Sequence, residues 1–472
     1  MLTLTDLVEA LTDTQLDLPA QVITDAVVDS RQVIPGCLFI AIPGKKVDGH
    51  DFIESAFQQG ASFALIEHEV DSKYYQVDLR QPPVDLVLNS DSPICLRVKN
   101  SLEALQEIAR FWRSKLDIRV IGITGSVGKS TSKELIAEVL SERYRTLRSP
   151  GNLNNEIGLP LTILKLGSGY ERAVLEMGFY VPGEIKFLCD IAKPQVGIVT
   201  NIGTVHAERA GSIDVIAAGK SELVQELPPS PEGIAILNYD DPLVRSMADI
   251  TSARVFYYGL DPKADLWADQ IQSLGLDGIQ FCFHYEGESL YVKIPMIGQH
   301  SVHTALRAAA VGLVEGLSWP EIIQGFLSGH AQIRLVAVRS RKGALIIDDT
   351  YNASPESTIA ALNLLADLNG RKLAVLGDML ELGQYEKQGH GLVGVRAAEV
   401  ADELITVGER AHEIAKSASL AGFNNDRIHE FNANHEVIDF LDDFLQPDDS
   451  VLIKGSHGMH MEEIVAALED VS

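Results

Sequence analysis

The sequence has few cysteines and no long hydrophobic run. Its four cysteines show neither CxxC pairs nor the spacing of a zinc motif, which disfavours a disulfide framework and predicts buried thiols in a reducing compartment. No stretch of about 18 apolar residues occurs, so we predict no membrane span. The N-terminal residues lack the basic segment and cleavage site of a secretory signal, and the expected location is the cytoplasm.

Basic residues are scarce relative to acidic ones. The chain carries 39 Lys and Arg against 66 Asp and Glu, a formal net charge of −27. General nucleic-acid binding needs a basic surface, so the composition predicts no nucleic-acid partner. An anionic small ligand is compatible with this charge, because a local group of donors outweighs distant, screened charges. With 472 residues, the chain is long enough for about three domains.

A glycine-rich turn between a predicted strand and a predicted helix is the main functional signal. Residues 120–124 are apolar and β-branched, as in a buried parallel strand, and residues 132–143 have apolar side chains at helical spacing. Glycines let backbone N–H groups converge on an anion at a helix N-terminus. We therefore predict a phosphate-binding loop in which Lys129 reaches the β- and γ-phosphates of a nucleotide and Ser130 holds Mg²⁺. The strict P-loop pattern requires glycine where Ile123 stands, so the spacing departs from it.

Polar side chains also follow other predicted strands. Glu176 ends a strand predicted at 173–177, and His206 follows one predicted at 195–201. Ligands of α/β sheets bind at the carboxyl ends of parallel strands, so we expect Mg²⁺ contacts for both residues, although imidazole is a less usual ligand for so hard an ion. The asparagine-rich turn that contains Asn152 and Asn155 is either a binding loop or a solvated one. By composition alone, Lys220, in a helix predicted at 213–227, is a solvent-exposed lysine.

These patterns predict an α/β protein of three domains. Residues 1–98 form a small mixed α/β N-terminal domain, residues 99–333 a central P-loop-type ATPase domain with a mainly parallel sheet, and residues 334–472 a Rossmann-like domain of alternating strands and helices. The last domain has no GxGxxG motif, so no nicotinamide cofactor is expected. Its strand-end turns are predicted to face a cleft and contain Asp349, Tyr351, Asn352 and Asp378.

Motifs in order along nearly the whole chain resemble the Mur ligase family. The segment TGSVGKSTSKE is similar to the ATP loop of these enzymes, whose shorter Thr-Gly-x-x-Gly-Lys-(Thr/Ser) pattern accounts for the departure in spacing. DSRQVIPGCLFIAIPG and VDGHDFI resemble their uridine-nucleotide-binding domain. GNLNNEIGLPLTIL, VLEMGFYVPGEI, DDTYNASPES and AVLGDMLELG resemble the members that add D-alanyl-D-alanine.

The resemblance implies an activity. A monomeric enzyme would use ATP and two Mg²⁺ ions to ligate D-alanyl-D-alanine to UDP-N-acetylmuramoyl-tripeptide through an acyl phosphate, in peptidoglycan synthesis. Lys129, His206 and Lys220 would be catalytic. Lys220 matches a lysine that is carbamylated in many family members, which would turn an ammonium into an oxygen ligand for a hard cation.

The resemblance also implies binding roles, residue by residue. ATP would contact Thr124, Gly125, Ser126, Val127, Gly128, Lys129, Ser130, Asn238, Arg334 and Asp349. Metal ligands would be Ser130, Glu176, His206 and carbamylated Lys220. The UDP substrate would contact Ser30, Arg31, Gly44, Asn152 and Asn155, and the D-alanyl-D-alanine region would contain Tyr351, Asn352 and Asp378.

The chain departs from the family pattern at three places. Ser301 and Thr304 stand where asparagines are common, and His457 stands where a Lys-Gly-Ser-Arg-Gly motif has arginine. Residues 179–181, Phe-Tyr-Val, are bulkier than expected. Two alternatives are another ligase of the superfamily, of folylpolyglutamate or cyanophycin type, and a nucleotide-dependent regulator that ligates nothing. The uridine-domain motifs at Ser30 and Gly44 disfavour the first.

Overall fold

The computed structural model describes residues 1–15, 21–44, 46–71, 73–81, 92–205, 207–328 and 336–470. Within these ranges, the strands form three sheets of five, nine and six strands, one in each predicted domain. The expected class, a three-domain α/β protein with mainly parallel sheets, is confirmed. The domain boundaries at 98/99 and 333/334 stay predictions, and the second of these lies outside the described residues.

The N-terminal sheet is parallel throughout and has the order β1-β2-β3-β5-β4. Its strands are β1 Ala26–Val27, β2 Leu38–Ile40, β3 Phe63–Ile66, β4 Tyr75–Asp78 and β5 Ile94–Arg97, and the helices of this region are α1 Leu4–Thr12, α2 Ile53–Gln58 and α3 Ser101–Ser114. β2 and β3 are buried along their whole length, which explains their continuous apolar sequence. β4 is an edge strand with a polar, half-exposed sequence, and it ends at Asp78.

The central sheet has the order β14-β13-β12-β11-β10-β9-β6-β8-β7. Its strands are β6 Arg119–Thr124, β7 Thr146–Arg148, β8 Arg172–Glu176, β9 Val196–Val199, β10 Ile234–Asn238, β11 Arg254–Gly259, β12 Leu266–Ser273, β13 Ile279–Tyr285 and β14 Glu288–Ile294. Its helices are α4 Lys129–Ser141, α5 Gly158–Leu164, α6 Glu184–Ala192, α7 Ala207–Ala210, α8 Ile213–Gln225, α9 Pro242–Arg245, α10 Ser301–Val314 and α11 Trp319–Ser328. β13 and β14 form an antiparallel hairpin that turns at Gly287.

The C-terminal sheet has the order β15-β16-β20-β17-β18-β19, parallel except for the edge strand β15. Its strands are β15 Val336–Arg339, β16 Leu345–Asp348, β17 Lys372–Gly377, β18 Glu403–Val407, β19 Ile428–Phe431 and β20 Ser450–Lys454. Its helices are α12 Pro355–Asp367, α13 Glu386–Val400, α14 His412–Leu420, α15 Asn434–Phe444 and α16 Glu462–Leu468. Apolar clusters bury both faces of this sheet, as expected of a parallel sheet covered by helices.

The chain divides into two compact units. One contains Met1–Gly122, Tyr144–Gly178 and Glu184–Val196, and the other contains Ile123–Arg143, Phe179–Gly183 and Gly197–Ser472. No helix among the described residues is long and apolar enough to cross a membrane.

Helix α4, which follows the glycine-rich turn, is packed closely by α11. It starts at Lys129, three residues before the predicted start, with Gly128 as its N-cap. A Cβ added to Gly325 of α11 would lie 2.5 Å from the Cα of Val139 in α4, so only glycine permits this approach.

Gly325→Ala should therefore destabilise the protein. Overpacking of this kind costs about 1–3 kcal/mol, which exceeds the gain in helix propensity of about 1 kcal/mol. Chemical denaturation measures the change. Gly391→Ala in α13 is the matched control, since its nearest neighbour would be the Ser417 Oγ at 3.3 Å, and it should leave stability unchanged or raise it. Equal effects of the two substitutions would contradict the packing argument.

Candidate functional site: a phosphate loop and two lysines

The glycine-rich turn is held by the segment that follows β9. The Ser126 N–H donates to the Asn201 carbonyl at 2.9 Å, and the Val127 N–H donates to the Asn201 side-chain oxygen at 2.8 Å. The Thr200 hydroxyl donates to the Val127 carbonyl at 2.7 Å. A Cβ on Gly125 would lie 1.9 Å from the Thr200 Oγ1, so this position requires glycine. Thr200 and Asn201 were not predicted as site residues, because nothing in the spacing of the sequence links them to the turn.

Helix α4 begins directly after the turn, with Gly128 as its N-cap. Gly125 and Gly128 have φ values of +142° and +83°, which side chains other than hydrogen rarely permit. The N-terminal N–H groups of a helix have no acceptor within the helix, and together with the helix dipole they favour an anion. The segment therefore has the strand–turn–helix form that the sequence predicts, with the N-terminus of α4 directly after the turn.

Two lysine side chains converge on one carbonyl oxygen of this loop. The Lys129 ammonium donates to the Gly125 carbonyl at 2.9 Å and to the Ser126 carbonyl at 3.3 Å. The Lys220 ammonium donates to the same Gly125 carbonyl at 3.0 Å. Burial, followed by the charge of Lys129, lowers the pKa of Lys220 well below its ordinary value. Lys220 is 1% exposed, so the expectation from composition of a solvent-exposed lysine is wrong.

The burial of Lys220 has a local cause in the bulky segment at 179–181. The Phe179 ring is buried, and its centroid lies 4.9 Å from the Lys220 Nζ. It also packs on Gly219, where an added Cβ would lie 2.0 Å from the ring. Tyr180 is more exposed and stacks against the Arg209 guanidinium at 4.7 Å. The departure from the family pattern at Phe179 is thus part of the wall around the lysine.

A buried arginine ties α10 to the start of α4. The Arg307 Nε donates to the Ser132 hydroxyl at 2.8 Å, and its Nη2 donates to the Thr304 hydroxyl at 2.9 Å. Ser132 in turn donates to the Gly128 carbonyl at 2.6 Å. Arg307 is 4% exposed, and its Nη2 would lie 3.0 Å from a Cβ on Gly128. The guanidinium thus supports the last glycine of the loop from behind.

The end of β10 carries the predicted nucleotide contact Asn238, and the first turn of α10 carries two of the departures from the family pattern. Asn238 is buried, donates to the Thr200 carbonyl at 3.1 Å and accepts from the Asp240 N–H. The Ser301 hydroxyl donates to the Ile297 carbonyl at 2.7 Å. Ser301 and Thr304 replace asparagines of the family pattern. Each has a hydrogen-bond partner nearby: the Ile297 carbonyl for Ser301 and the Arg307 guanidinium for Thr304.

Glu176 lies at the end of β8 and is 2% exposed. The Asn154 side chain donates to its Oε1 at 2.9 Å, and the Asn154 carbonyl accepts from the Gly178 N–H at 2.8 Å. Asn155 instead caps the start of α5, where its Oδ1 accepts from the Gly158 N–H at 2.9 Å, and Asn152 is exposed. Among the asparagines of this turn, it is Asn154 that orients the predicted metal ligand, and the sequence did not single it out.

The predicted C-terminal residues follow β16 and β17, the two strands that flank β20 in the sheet. The Lys454 ammonium pairs with the Asp349 carboxylate at 2.6 Å and donates to the Asn352 carbonyl at 2.8 Å. Asp378 is buried and accepts from the Ala411 N–H at 2.8 Å. Tyr351 is 40% exposed, and its ring centroid lies 6.1 Å from that of His457. Asp349, Asn352, Tyr351 and His457 therefore surround one strand end, that of β20.

Two contacts that were not predicted join the segment after β9 to C-terminal elements. The Glu356 carboxylate accepts from the Thr204 N–H at 3.4 Å, and a Cβ on Gly203 would lie 2.8 Å from it. The Glu208 N–H donates to the Glu381 carbonyl at 3.1 Å.

The predicted uridine-site residues lie in the N-terminal region. Ser30 is buried at the start of a 3-10 turn, whereas the exposed Arg31 pairs with Asp29 at 2.7 Å. The Gly44 N–H donates to the Val47 carbonyl at 3.0 Å. His206 and Arg334 lie outside the described residues, so their predicted roles stay predictions.

Comparison with known proteins identifies the family. Three models match successive parts of the chain: Mur ligase family, catalytic domain (residues 23–113), Mur ligase middle domain (123–312) and Mur ligase, glutamate ligase domain (333–457). The chain is 35% identical over 452 residues to the UDP-N-acetylmuramoyl-tripeptide–D-alanyl-D-alanine ligase of Bacillus subtilis (strain 168), which covers 95% of this chain and 93% of that protein. It belongs to the Mur ligase family.

Other relatives agree in sequence and in structure. The Escherichia coli (strain K12) enzyme of the same name is 33% identical over 463 residues, 96% of this chain and 95% of its own. The crystal structure of MurF from Acinetobacter baumannii has a TM-score of 0.83 at 31% identity and covers 98% of this chain and 97% of its own. That of MurF ligase from Thermotoga maritima in complex with ADP has a TM-score of 0.76 at 28% identity, with 97% of both chains covered. This Mur ligase is accordingly an ADP-forming, ATP-dependent enzyme.

Lys129→Met should reduce ATP-dependent turnover by at least about 100-fold, the size of loss seen when a group that stabilises transition-state charge is removed. ADP release measures the rate, and circular dichroism checks the fold. Lys387→Met, at an exposed position of α13, is the control and should keep wild-type activity. Turnover of the Lys129 variant close to wild type would contradict the role of the loop.

Arg307→Met should raise KM for ATP by about 10-fold, or about 1.4 kcal/mol, with a smaller change in kcat, because the loop loses its support and not a reacting group. Arg307→Lys cannot reproduce the two separate donors to Ser132 and Thr304, so it should recover only part of the effect. Arg254→Met, at an exposed position in β11, is the control. An unchanged KM in Arg307→Met would contradict the support of the loop by the guanidinium.

Proposed function

We propose that this Mur ligase joins D-alanyl-D-alanine to UDP-N-acetylmuramoyl-tripeptide and so forms the pentapeptide precursor of peptidoglycan. The relatives with at least 30% identity across nearly the full chain bear that activity in their names. The observation in the molecule that supports it most directly is the convergence of Lys129 and Lys220 on the phosphate loop. Two lysines beside the loop suit the transfer of a phosphoryl group from a nucleoside triphosphate to a carboxylate.

The reaction has two steps, each of which brings negative groups together. A carboxylate oxygen of the tripeptide attacks the γ-phosphorus of ATP, and ADP leaves as the acyl phosphate forms. The D-alanyl-D-alanine amine then attacks the acyl carbon, loses a proton, and phosphate departs from the tetrahedral intermediate. The protein contributes mainly charge neutralisation and positioning. The Lys129 ammonium and the N–H groups at the start of α4 supply these for the transferred phosphoryl group.

Mg²⁺ fits the chemistry of the donor set. Ser130 and Glu176 offer oxygen atoms, which hard cations prefer, and the Asn154 amide holds the Glu176 carboxylate in place. We assign Ser130, Glu176 and His206 as metal ligands on the resemblance of their motifs. Bound Mg²⁺ would neutralise phosphate charge and so assist phosphoryl transfer.

Lys220 is proposed to be carbamylated. Addition of CO₂ requires a neutral amine, and burial together with the nearby Lys129 charge favours that form by lowering the pKa of Lys220. The carbamate replaces an ammonium that faces Lys129 by an anion, which removes a repulsion between like charges. Its oxygens would be suitable ligands for Mg²⁺.

The remaining roles follow the same resemblance. Ser30, Arg31, Gly44, Asn152 and Asn155 are proposed to contact the UDP substrate. Asn238, Arg334 and Asp349 are proposed to contact ATP, and Tyr351, Asn352 and Asp378 are proposed to lie near D-alanyl-D-alanine. We further propose a monomer that acts in the cytoplasm, which agrees with four buried cysteines that form no disulfide.

The function is tested by phosphate release from ATP with UDP-N-acetylmuramoyl-tripeptide and a panel of amines. D-Alanyl-D-alanine should trigger release and give the pentapeptide by mass spectrometry, while L-glutamate and L-alanyl-L-alanine should not. Release driven by glutamate would indicate a ligase of another branch. Hydrolysis that is independent of any amine would indicate a nucleotide-dependent regulator.

The carbamate at Lys220 is tested by ¹³C NMR of protein equilibrated with ¹³C-bicarbonate. Wild type should show one carbamate signal, which is absent in Lys220→Ala, and the inactive variant should regain part of its activity with short carboxylic acids. The signal should weaken as the pH falls, because protonation of the amine reverses the addition. Carbamylation would be contradicted if wild type showed no carbamate signal and short carboxylic acids failed to restore activity to Lys220→Ala.

A further inference from the structure

The antiparallel strands β12 and β13, near the edge of the central sheet, bring together three side chains of the kinds that bind transition metals. Asp269 in β12 is paired directly with Cys282 in β13, and His284 lies two residues further along β13 on the same face. One ligand atom from each residue, a carboxylate oxygen, the thiol sulfur and an imidazole nitrogen, lies within 4.8 Å of the other two. The strand pairing creates this cluster, whose spacing in sequence matches no zinc motif.

The imidazole of His284 is held in one orientation. Its Nε2 lies 2.9 Å from the Asp269 carboxylate, and its Nδ1 lies 2.9 Å from the Ser289 hydroxyl on β14. The ring also stacks on Trp267, with centroids 3.8 Å apart and planes 15° apart. Metal-bound histidines characteristically donate their second ring N–H to an oxygen. Ser289 can accept from Nδ1–H, which leaves the Nε2 lone pair directed toward Asp269 and Cys282.

Cys282 lies on the opposite face of β13 from the apolar core. Phe281 and Phe283 alternate with it and are buried with edge-to-face packing, their centroids 4.7 Å apart. The thiol nevertheless is only 1% exposed, and its weak hydrogen bond to the Phe283 carbonyl spans 3.6 Å. In contrast, the side chains of Asp269 and His284 are 43% and 19% exposed. An ion can therefore reach the cluster from solvent and find the sulfur at its inner end.

A second cluster shows why proximity of three such side chains is not enough to indicate a metal site. Asp48, His50 and His68 also lie within 4.8 Å of one another. The His50 Nε2, however, accepts the Glu67 N–H at 2.9 Å, so its Nδ1 carries the proton and donates to Asp48 at 2.7 Å. Both nitrogens are used by the protein, and no lone pair of His50 faces the cluster. At His284 the serine hydroxyl can either donate or accept, so the tautomer can adapt to a metal.

We propose that Asp269, Cys282 and His284 form a binding site for a borderline-soft divalent cation such as Zn²⁺, with water in a fourth position. Sulfur, imidazole and carboxylate ligands suit Zn²⁺ and Co²⁺ and do not suit Mg²⁺, which takes oxygen ligands. Binding releases the thiol proton to solvent. The ion cross-links β12 to β13, so the site is structural and independent of the ligase reaction.

The test is titration of the full-length protein with Co²⁺, in the absence and presence of excess Mg²⁺. Cobalt bound through sulfur gives an intense thiolate-to-metal charge-transfer absorption, whereas cobalt bound by oxygen atoms at a nucleotide site does not. Wild type should show this band with one equivalent of Co²⁺, excess Mg²⁺ should not remove it, and Zn²⁺ should displace it. Zn²⁺ should also raise the melting temperature.

Substitutions separate a metal site from a simple Ser289–His284–Asp269 hydrogen-bond chain beside a buried thiol. Cys282→Ser should abolish the band, and Asp269→Asn and His284→Gln should each weaken Co²⁺ binding by at least 10-fold. Cys189→Ala is the matched control, a buried cysteine in α6 that should leave the band intact. A wild-type protein without the band, or a band that persists in Cys282→Ser, would overturn the proposal.

Discussion

The candidate site depends on one interaction: the side-chain nitrogens of two lysines donate hydrogen bonds to the same carbonyl oxygen. Lys129 and Lys220 both donate to Gly125, at 2.9 and 3.0 Å, and Lys220 is almost completely buried. Like charges at this separation in a desolvated environment repel each other, and the partial charge of one carbonyl offsets little of that repulsion. The arrangement is relieved when Lys129 meets an anion and Lys220 gives up its charge. A nucleotide phosphate and a carbamate are groups that would do so.

The loop keeps this geometry because residues far away in sequence hold it. Thr200 and Asn201 bind its backbone from the end of β9, and Arg307 supports Gly128 through Ser132. Phe179 fills the space that Gly219 leaves open and so closes one side of the Lys220 pocket. These contacts fix backbone groups before any ligand arrives, which is how a binding loop avoids the entropic cost of ordering.

The sequence was sufficient for the strand–turn–helix form of the glycine-rich segment and for the three-domain class, because both depend on local periodicity and short-range glycine geometry. It was insufficient for Thr200, Asn201, Asn154 and Arg307, whose roles arise from pairing between strands and helices distant in the chain. The burial of Lys220 was missed for the same reason: its helix has no strong amphipathic pattern, and the wall comes from Phe179. β12 was missed because its second half is polar and half-exposed, with a register shift between Asp269 and Gln272.

The most direct test of this account is a crystal structure of the protein with Mg²⁺ and a non-hydrolysable ATP analogue. We expect the Lys129 ammonium to leave the Gly125 and Ser126 carbonyls for phosphate oxygens, while Lys220 stays beneath the loop and carries the additional density of a carbamate. A triphosphate bound elsewhere, with both lysines unmodified and still donating to Gly125, would contradict it.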